Sequence, residues 1–254
     1  MLVAITRAVS PSIVSCELTH LARQPIDVDL AVEQHAAYEA ALTELGCTLR
    51  QLEVEPDLPD SVFVEDMALV LDELAVVLRS GAPSRRLEAA SVAQALEEYR
   101  ELRTIQAPAT LDGGDVLRVD RDLYIGVSGR STLDGIRQVE SIVAPFGYRV
   151  HPVEMTGCLH LKSAVTQVGD RLLLVNPDWV DGRFFEGMER IEVASDEPHA
   201  ANALMLPEAV IYPAAHRETS RRLEQHGVRL KPVDVSELMK AEGAVTCCSL
   251  IFRA

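Results

Sequence analysis

The spacing of apolar residues along this chain predicts helices that alternate with strands. Residues 27–46 place apolar side chains on one helical face and end at Gly46, a residue that often terminates helices. Residues 2–5 form an apolar, strand-like opening run, and residues 49–54 have the character of a short strand. The helical periodicity returns in three later segments, which are 88–102, 132–146 and 218–226.

Pairs of apolar runs separated by polar turns predict β-hairpins at regular intervals. The predicted pairs, in chain order, are 61–71 with 74–78, 111–119 with 123–127, and 159–168 with 171–175. Residues 201–213 repeat the pattern, and a last copy starts at Val245 and is completed by residues 2–5. The copies start roughly 40 to 50 residues apart, which is a spacing typical of repeat architectures.

This repeat predicts the fold. One hairpin-plus-helix unit cannot bury its own apolar face, so five consecutive units are expected to close into a ring of blades. We therefore expect an α/β protein with five-fold pseudosymmetry and treat residues 1–254 as a single domain. Residues 49–54 and the irregular span 179–198 fit the repeat less well. A doubly wound open sheet is the alternative, but the chain has no strand–GxGxxG–helix start.

Composition narrows the range of partners. The 254 residues are 48% hydrophobic, enough to bury a substantial core, and the net charge of −15 argues against nucleic acid or an anionic membrane as a partner. That charge suits a small cationic ligand, although an acidic surface that maintains solubility explains it equally well. Five cysteines without disulfide-framework spacing, no signal peptide and no long apolar stretch predict a reduced, soluble, cytoplasmic protein.

Residues 243–252 offer candidate chemistry, because small residues there lead two cysteines into an apolar, β-branched run. A cysteine nucleophile needs a base held by a carboxylate, and the chain offers His160 and Asp112 for Cys247. Each of the three also has a structural interpretation, as a small core residue, a satisfied core histidine and part of a turn. Cys248 is expected to face the opposite side of a strand, in the core.

Four short motifs stand in order near the starts of the predicted repeats. They are residues 62–66 (VFVED), 111–116 (LDGGDV), 159–163 (LHLKS) and 246–249 (TCCS). Each motif alone is weak, but four at a repeating spacing are specific. Together they resemble the dimethylarginine dimethylaminohydrolases of the guanidine-modifying pentein superfamily, and the resemblance covers essentially the whole chain. It implies a five-fold pseudosymmetric α/β propeller built from ββαβ-type units.

The resemblance implies a cysteine hydrolase that splits Nω-methylated arginine into citrulline and a methylamine, without a cofactor or a metal. By position, Cys247 would be the nucleophile, His160 the general acid and base, and Asp112 the carboxylate that orients the histidine. A thiolate suits attack on a guanidinium carbon, and a histidine can protonate the departing amine. Asp115 is expected to support its loop rather than to touch the substrate.

The resemblance also implies a set of substrate-binding residues. An acidic pair binds the guanidinium of the substrate, and an aromatic residue lies beside this pair. Two arginines bind the substrate carboxylate, and another acid binds the α-amino group. A leucine belongs to a flexible lid, and a residue before the cysteine meets the substrate through its backbone. In that order, the residues are Glu65 and Asp66, Phe63, Arg85 and Arg130, Asp60, Leu18, and Ala241.

The sequence leaves other functions open. A deiminase of the same superfamily would act on free arginine or agmatine, and a non-catalytic pentein would need no nucleophile. A zinc site made of Cys158, His160 and Cys247 lacks the usual CxxC or HxxxH spacing. Lys162 favours methylated substrates over arginine, because we expect it on the same strand face as His160, where deiminases typically carry an acid. The oligomeric state is also left open, with a homodimer as one choice.

Overall fold

In the computed structural model, which describes residues 1–254, the chain folds into five small β-sheets of three strands each. The strands are β1 (Leu2–Arg7), β2 (Cys47–Leu52), β3 (Ala68–Val70), β4 (Leu74–Val77), β5 (Glu101–Thr104), β6 (Val116–Val119), β7 (Asp122–Val127), β8 (Arg149–Glu154), β9 (Val165–Gly169), β10 (Leu172–Val175), β11 (Glu189–Glu192), β12 (Leu204–Met205), β13 (Val210–Pro213), β14 (Leu230–Val233) and β15 (Leu250–Arg253). The α-helices are α1 (Val28–Glu44), α2 (Ala89–Leu96), α3 (Leu133–Val143), α4 (Leu161–Ala164), α5 (Arg217–Gln225) and α6 (Ser236–Met239).

All five sheets share one topology. The middle strand pairs antiparallel with one neighbour and parallel with the other, in the orders β3-β4-β5, β6-β7-β8, β9-β10-β11, β12-β13-β14 and β15-β1-β2. Parallel neighbours need a crossover connection. Here α2, α3, a 3₁₀ turn at Gly182–Phe185, α5 and α1 supply it, one for each sheet. The predicted ββαβ unit and the five-fold α/β propeller are therefore confirmed.

The last strand closes the ring. β15 pairs antiparallel with β1, with Leu250 opposite Ile5 and Arg253 opposite Leu2, so both ends of the chain share one sheet as predicted. The first strands of the five units, β3, β6, β9, β12 and β15, all line one central cavity of about 270 Å³. Because strands from five separate sheets face the same cavity, the sheets are arranged around a common centre.

Local signals place several elements close to where the sequence predicted them. Asp27 caps α1 by accepting a hydrogen bond from the Leu30 amide (3.1 Å), and the chain leaves this helix through Gly46 at φ +88°. Thr132 caps α3 by accepting from the Gly135 amide (3.2 Å). The strand predicted from residue 49 is β2. No helix of the chain has the length and apolar character that crossing a bilayer requires.

Two kinds of element were predicted wrongly. The helix expected at 88–102 ends at Leu96, because Glu101–Thr104 forms β5, a short strand held by its parallel pairing with β4. The strands β8, β11 and β14 were not predicted. They are the outer strands of their sheets and bury few of their residues, so they carry little of the hydrophobic alternation from which strands are recognised.

A helical turn precedes the first strand of three units, where the sequence predicted an uninterrupted strand. These turns are Val64–Met67, Gly113–Asp115 and Leu161–Ala164, and the second of them contacts the other two. In the first of these turns, side chains that a strand would send to opposite faces are buried together, as Glu65 and Asp66 are. The three turns therefore bring the polar motifs of neighbouring units together.

Candidate active site

The turns before the first strands meet at a small pocket, together with the loop before β15 and the segment around residue 17. The residues singled out from the sequence that line it are Asp60, Phe63, Asp66, Arg85, Arg130, His160, Ala241 and Cys247. The free space is about 20 Å³, which is roughly room for one water molecule. The pocket is thus closed around its polar groups.

Three predicted site residues do not line this pocket. Asp112 is fully buried behind His160, and Glu65 lines the central cavity. Leu18 is half-buried and packs against the hydrophobic cluster around α1. Motif order along the chain cannot separate a residue on the pocket wall from one in the layer behind it, because both belong to the same short turn.

Cys247 and Cys248 occupy a turn at residues 245–248, and the strand predicted there is wrong. Regular pairing with β1 begins only at Leu250. Cys247 is half-buried and lines the pocket, whereas Cys248 is fully buried and its thiol donates a hydrogen bond to the Ala244 carbonyl (3.4 Å). The expected difference between the two cysteines is present, but a turn produces it and not strand alternation.

His160 stands directly before α4 and lies between two carboxylates. Its Nε2 is 3.3 Å from Asp112 Oδ2, and its Nδ1 is 3.9 Å from Asp66 Oδ1. Burial lowers the pKa of His160, but nearby carboxylates, Asp66 foremost, outweigh burial and raise this pKa from 6.5 to about 9. The imidazole is therefore protonated at neutral pH and places a positive charge at the pocket.

Asp115 holds the backbone that carries the histidine. Its Oδ1 accepts a hydrogen bond from the Leu161 amide (2.9 Å), and its Oδ2 accepts from the hydroxyls of Ser128 and Ser131 (2.6 Å each). The carboxylate is fully buried and off the pocket wall, which fits the supporting role expected of it. Neighbouring Gly114 has no room for a side chain, because a Cβ there would overlap the histidine ring.

The thiol of Cys247 has an acidic environment. Burial, followed by the carboxylates of Glu65 and Asp66, raises the pKa of this thiol to about 12. Without a ligand at neutral pH, the site therefore combines a neutral thiol with a protonated imidazole. A cation entering the pocket would offset the two carboxylates and lower the pKa of the thiol. The arrangement can form a thiolate in response to a cationic ligand.

Arg85 is the centre of a buried charge network. Its Nη1 donates to Asp66 Oδ2 (2.6 Å), and its Nη2 donates to Glu88 Oε2 (2.9 Å) and to the carbonyls of Asp60 and Phe63 (3.3 and 3.1 Å). Its Nε also donates to Glu88 (3.2 Å), so every nitrogen of the guanidinium is used. Glu88 was not predicted from the sequence, although its i, i+3 spacing from Arg85 suits a helical ion pair.

Arg130 has fewer partners. Its Nη2 donates to the Thr19 hydroxyl (3.2 Å), while its Nη1 lies 3.6 Å from Asp112 Oδ2 and is buried without a hydrogen-bond partner. Asp60 also faces the segment around residue 17, because its Oδ2 accepts from the Glu17 amide (3.0 Å). A buried guanidinium with a spare donor beside a pocket is suited to an anionic group of a ligand.

Glu65 and Lys162 form an ion pair along the central cavity. Lys162 Nζ donates to Glu65 Oε1 (2.5 Å), and the Thr246 hydroxyl donates to Glu65 Oε2 (2.9 Å). The strand face that Lys162 was expected to share with His160 does not exist, because α4 occupies this position. The lysine reaches Glu65 from that helix. Asp66 is then the member of the acidic pair whose carboxylate lines the pocket.

Asp66, Asp112 and His160 are also the side chains best placed to hold a metal, with ligand atoms within 4.8 Å of one another. Asp66 already accepts hydrogen bonds from Arg85 and from the Gly114 amide (2.9 Å). A metal would need a deprotonated histidine, yet these carboxylates favour its protonated form. The cluster is explained without a metal, because the protonated His160 and the carboxylates of Asp66 and Asp112 neutralise one another's charge. The zinc set considered from the sequence, which included Cys158, is a different group of residues.

Comparisons with known proteins show which sequences this chain resembles. A family model described as N,N dimethylarginine dimethylhydrolase, eukaryotic, matches residues 21–252. The chain is 35% identical over 251 residues to the N(G),N(G)-dimethylarginine dimethylaminohydrolase of Streptomyces coelicolor, covering 98% of this chain and 96% of that protein. It is 34% identical over 228 residues to the protein of the same name from Pseudomonas aeruginosa, covering 89% and 90%.

The similarity extends to three dimensions. A solved structure of the Pseudomonas aeruginosa enzyme, a cysteine-to-serine mutant complexed with citrulline, matches this fold with a TM-score of 0.94 at 33% identity. The match covers 98% of both chains. Family model, sequence identity and fold point to the same group of proteins over nearly the full length. The chain belongs to the dimethylarginine dimethylaminohydrolase family.

Proposed function

We propose that this chain hydrolyses Nω-methylated L-arginine, either asymmetric dimethylarginine or monomethylarginine, to L-citrulline and a methylamine. Residues 1–254 act as one catalytic domain without a cofactor. The observation that carries the proposal is a single pocket lined by a cysteine, a protonated histidine and an arginine with a spare donor. The names of the relatives, and the citrulline bound by the Pseudomonas aeruginosa mutant, support the same substrate class.

The first half of the proposed reaction forms a covalent intermediate. The guanidinium charge of the substrate offsets the carboxylates near Cys247, so the thiol loses its proton to solvent. The thiolate attacks the guanidinium carbon and a C–S bond forms. Protonated His160 gives its proton to the methylamine nitrogen, and the C–N bond breaks. The histidine is then neutral and ready to act as a base.

The second half hydrolyses this intermediate. Neutral His160 takes a proton from water, the oxygen attacks the same carbon, and the C–S bond breaks to release citrulline and the Cys247 thiolate. The histidine is again protonated, and the proton that leaves the adduct hydroxyl as it becomes the citrulline carbonyl returns to the thiolate. The starting state of a neutral thiol and a protonated imidazole is thereby restored. Asp112, 3.3 Å from His160 Nε2, orients the ring and stabilises its protonated form.

The amino-acid end of the substrate meets groups of opposite charge. We assign its carboxylate to Arg130, whose Nη1 has no hydrogen-bond partner, with Arg85 behind it. We assign its α-amino group to Asp60, a buried acid on the pocket wall. The remaining contacts are assigned as the resemblance implied, to Phe63, to the Ala241 backbone and to Leu18 in the lid.

Lys162 supports methylated arginine over arginine as the substrate. Because Lys162 pairs with Glu65, Asp66 is the one member of the acidic pair that presents its carboxylate on the pocket wall. An unmethylated guanidinium would bury N–H donors without partners, at a cost of roughly 1–3 kcal/mol each. Methylation removes donors and adds apolar surface that gains about 25 cal/mol per Å² on burial. We expect the methylated compounds to exceed arginine in kcat/KM by at least about tenfold.

The test compares asymmetric dimethylarginine, monomethylarginine, arginine and agmatine at equal concentration. Citrulline is measured together with dimethylamine, methylamine or ammonia as the leaving group, and the Cys247→Ser variant controls for contaminating enzymes. Arginine turned over as fast as the methylated compounds would establish a deiminase instead. No turnover of any guanidine by a folded protein would support the non-catalytic alternative.

The proposed reaction needs one chain only. The charged and nucleophilic residues assigned a role all belong to the same pocket or the layer behind it, so a homodimer is not required for activity. All five cysteines are free, and a thiol nucleophile needs to remain reduced, which together support the expectation of a reducing cytoplasmic environment.

A further inference from the structure

The segment at residues 17–25 covers the pocket and has little apolar contact to hold it. Its residues are exposed except for half-buried Leu18, and they form no regular secondary structure. Segments with few buried apolar contacts open readily, and polar contacts then decide how long they stay closed. We call residues 17–25 the lid.

Glu242 holds the lid by its backbone. The amides of Thr19, His20 and Leu21 all donate hydrogen bonds to its carboxylate, at 3.0, 2.5 and 2.6 Å. Successive amides that converge in this way form a concave anion-binding site. Here the anion is a side chain of the same chain, more than two hundred residues away in sequence. The contact therefore joins the lid to the loop that precedes the nucleophile.

The backbone of Glu242 indicates that the carboxylate is needed at this position. Its φ is +59°, in the left-handed region where glycine and asparagine are favoured over glutamate. A residue kept in a disfavoured conformation is a reason to look for a function of its side chain. The function that the contacts show is attachment of the lid.

Ser84 binds the Glu17 side chain and Lys240 binds the Pro25 carbonyl, at the two ends of the lid. Two further polar contacts of the lid involve residues that we assign to the substrate. Asp60 accepts from the Glu17 amide (3.0 Å), and Arg130 donates to the Thr19 hydroxyl (3.2 Å). A bound amino acid would compete for both. Glu242 also lines the pocket, but its carboxylate is bonded to three lid amides and we assign no substrate group to it. Its hold on the lid therefore persists when the substrate replaces these two contacts.

The closed pocket has about 20 Å³ of free space, so an arginine derivative enters only after the lid moves. We propose that Glu242 is the latch of the lid, a positioning residue that opens to admit the substrate and recloses over it. This inference rests on the proposed function. Without the latch the lid of the free protein stays open, so substrate binding must also supply the free energy of closing it, and KM should rise more than kcat falls.

The first experiment follows hydrogen–deuterium exchange of the lid amides without substrate, in the original protein and in Glu242→Gly. Glycine suits the positive φ, so this variant removes the carboxylate without adding backbone strain. We expect exchange at residues 19–21 to increase at least about tenfold while the sheets are unchanged. Glu208→Gly, at an exposed turn residue between β12 and β13, is the matched control and should leave the lid unchanged.

The second experiment measures kinetics with monomethylarginine. We expect KM to rise about tenfold in Glu242→Gly with kcat within about threefold, and a smaller rise in Glu242→Gln, whose amide oxygen can still accept. Unchanged lid exchange would overturn the latch, as would an equal rise of exchange throughout the sheets. Faster lid exchange with an unchanged KM would overturn the positioning role. Exchange needs no turnover, so an inactive protein would refute the proposed function without deciding the latch.

Discussion

Two adjacent cysteines in one turn have opposite surroundings, and matched substitutions separate their roles. We expect Cys247→Ser to abolish turnover and leave stability nearly unchanged, because a hydroxyl with a pKa far above neutral cannot replace a thiolate. Cys248→Ser should keep most activity but lose stability by about 1–3 kcal/mol, since it places a hydroxyl in a fully buried apolar cluster. Citrulline formation and urea unfolding measure both effects. The opposite result would assign the nucleophile to Cys248.

The acidic surroundings of Cys247 predict how its reactivity depends on pH. Burial and then the carboxylates of Glu65 and Asp66 raise its pKa to about 12, so the thiolate fraction in the free protein increases as pH rises. Alkylation by iodoacetamide should therefore be slow at about pH 7 and still accelerate above about pH 9.

This alkylation is best followed by peptide mass spectrometry in a Cys248→Ala background, because both cysteines lie in one tryptic peptide. The Cys247→Ser, Cys248→Ala double variant supplies the blank for that peptide. If the rate of Cys247 alkylation levels off below about pH 8, the free protein already holds a thiolate. The substrate cation would then not be required to form that thiolate.

At the scale of elements, the two arginines that we assign to the substrate differ because different segments carry them. Arg85 belongs to the 3₁₀ segment Pro83–Glu88, where it joins Asp66 and Glu88 in the core. Arg85→Ala leaves two buried carboxylates without their partner and should destabilise the protein by about 3–5 kcal/mol. Arg130 lies in the loop between β7 and α3. Arg130→Ala should leave the fold intact and raise KM by about 10–100-fold through loss of a charge-assisted hydrogen bond.

Urea unfolding and Michaelis–Menten kinetics separate these two outcomes. Agmatine has no carboxylate, so any turnover of it should be insensitive to Arg130→Ala, which makes it the internal control for the carboxylate assignment. Equal losses of stability in the two variants would show that Arg130 is as structural as Arg85.

Hydrophobic periodicity located most elements but misjudged the ones that build the site. The helices α1, α3 and α5 have strong signals of their own, including the caps Asp27 and Thr132. The turns at Val64–Met67 and Leu161–Ala164 read as the beginnings of strands, because apolar residues flank their polar ones. Contacts between neighbouring units hold these turns, for example the Asp115 carboxylate on the Leu161 amide (2.9 Å). The sequence around such a turn does not reveal a contact with a different repeat unit.

At the scale of the whole molecule, the pocket exists only where separate units meet. His160 and Asp112 are 48 residues apart, and Cys247 comes from the last unit of the ring. The order of the motifs was readable from the sequence because each stands at an equivalent place in its repeat. The hydrogen-bond partners of each side chain could not be predicted from the sequence. Arg85 and Arg130 look alike in sequence, and only the packing of the folded chain leaves Arg130 with an unpaired donor.

Closure of the ring places the two ends of the chain side by side. The Ala254 amide donates a hydrogen bond to the Met1 carbonyl (2.9 Å), so a linker of about two glycines can join residue 254 to residue 1. New ends between Asp170 and Arg171, at the exposed tip of the β9–β10 hairpin, leave all residues of the pocket in place.

We expect this circular permutant to fold and to keep kcat/KM within about tenfold of the original arrangement, because it preserves every strand pairing. The matched control has its new ends between Ala75 and Val76, inside β4. These residues are fully buried and pair with both β3 and β5, so this second permutant should not fold. Circular dichroism and citrulline formation compare the two. Failure of both would show that joining the ends disturbs the β1–β15 sheet, and success of both would show that the ring tolerates a break within a central strand.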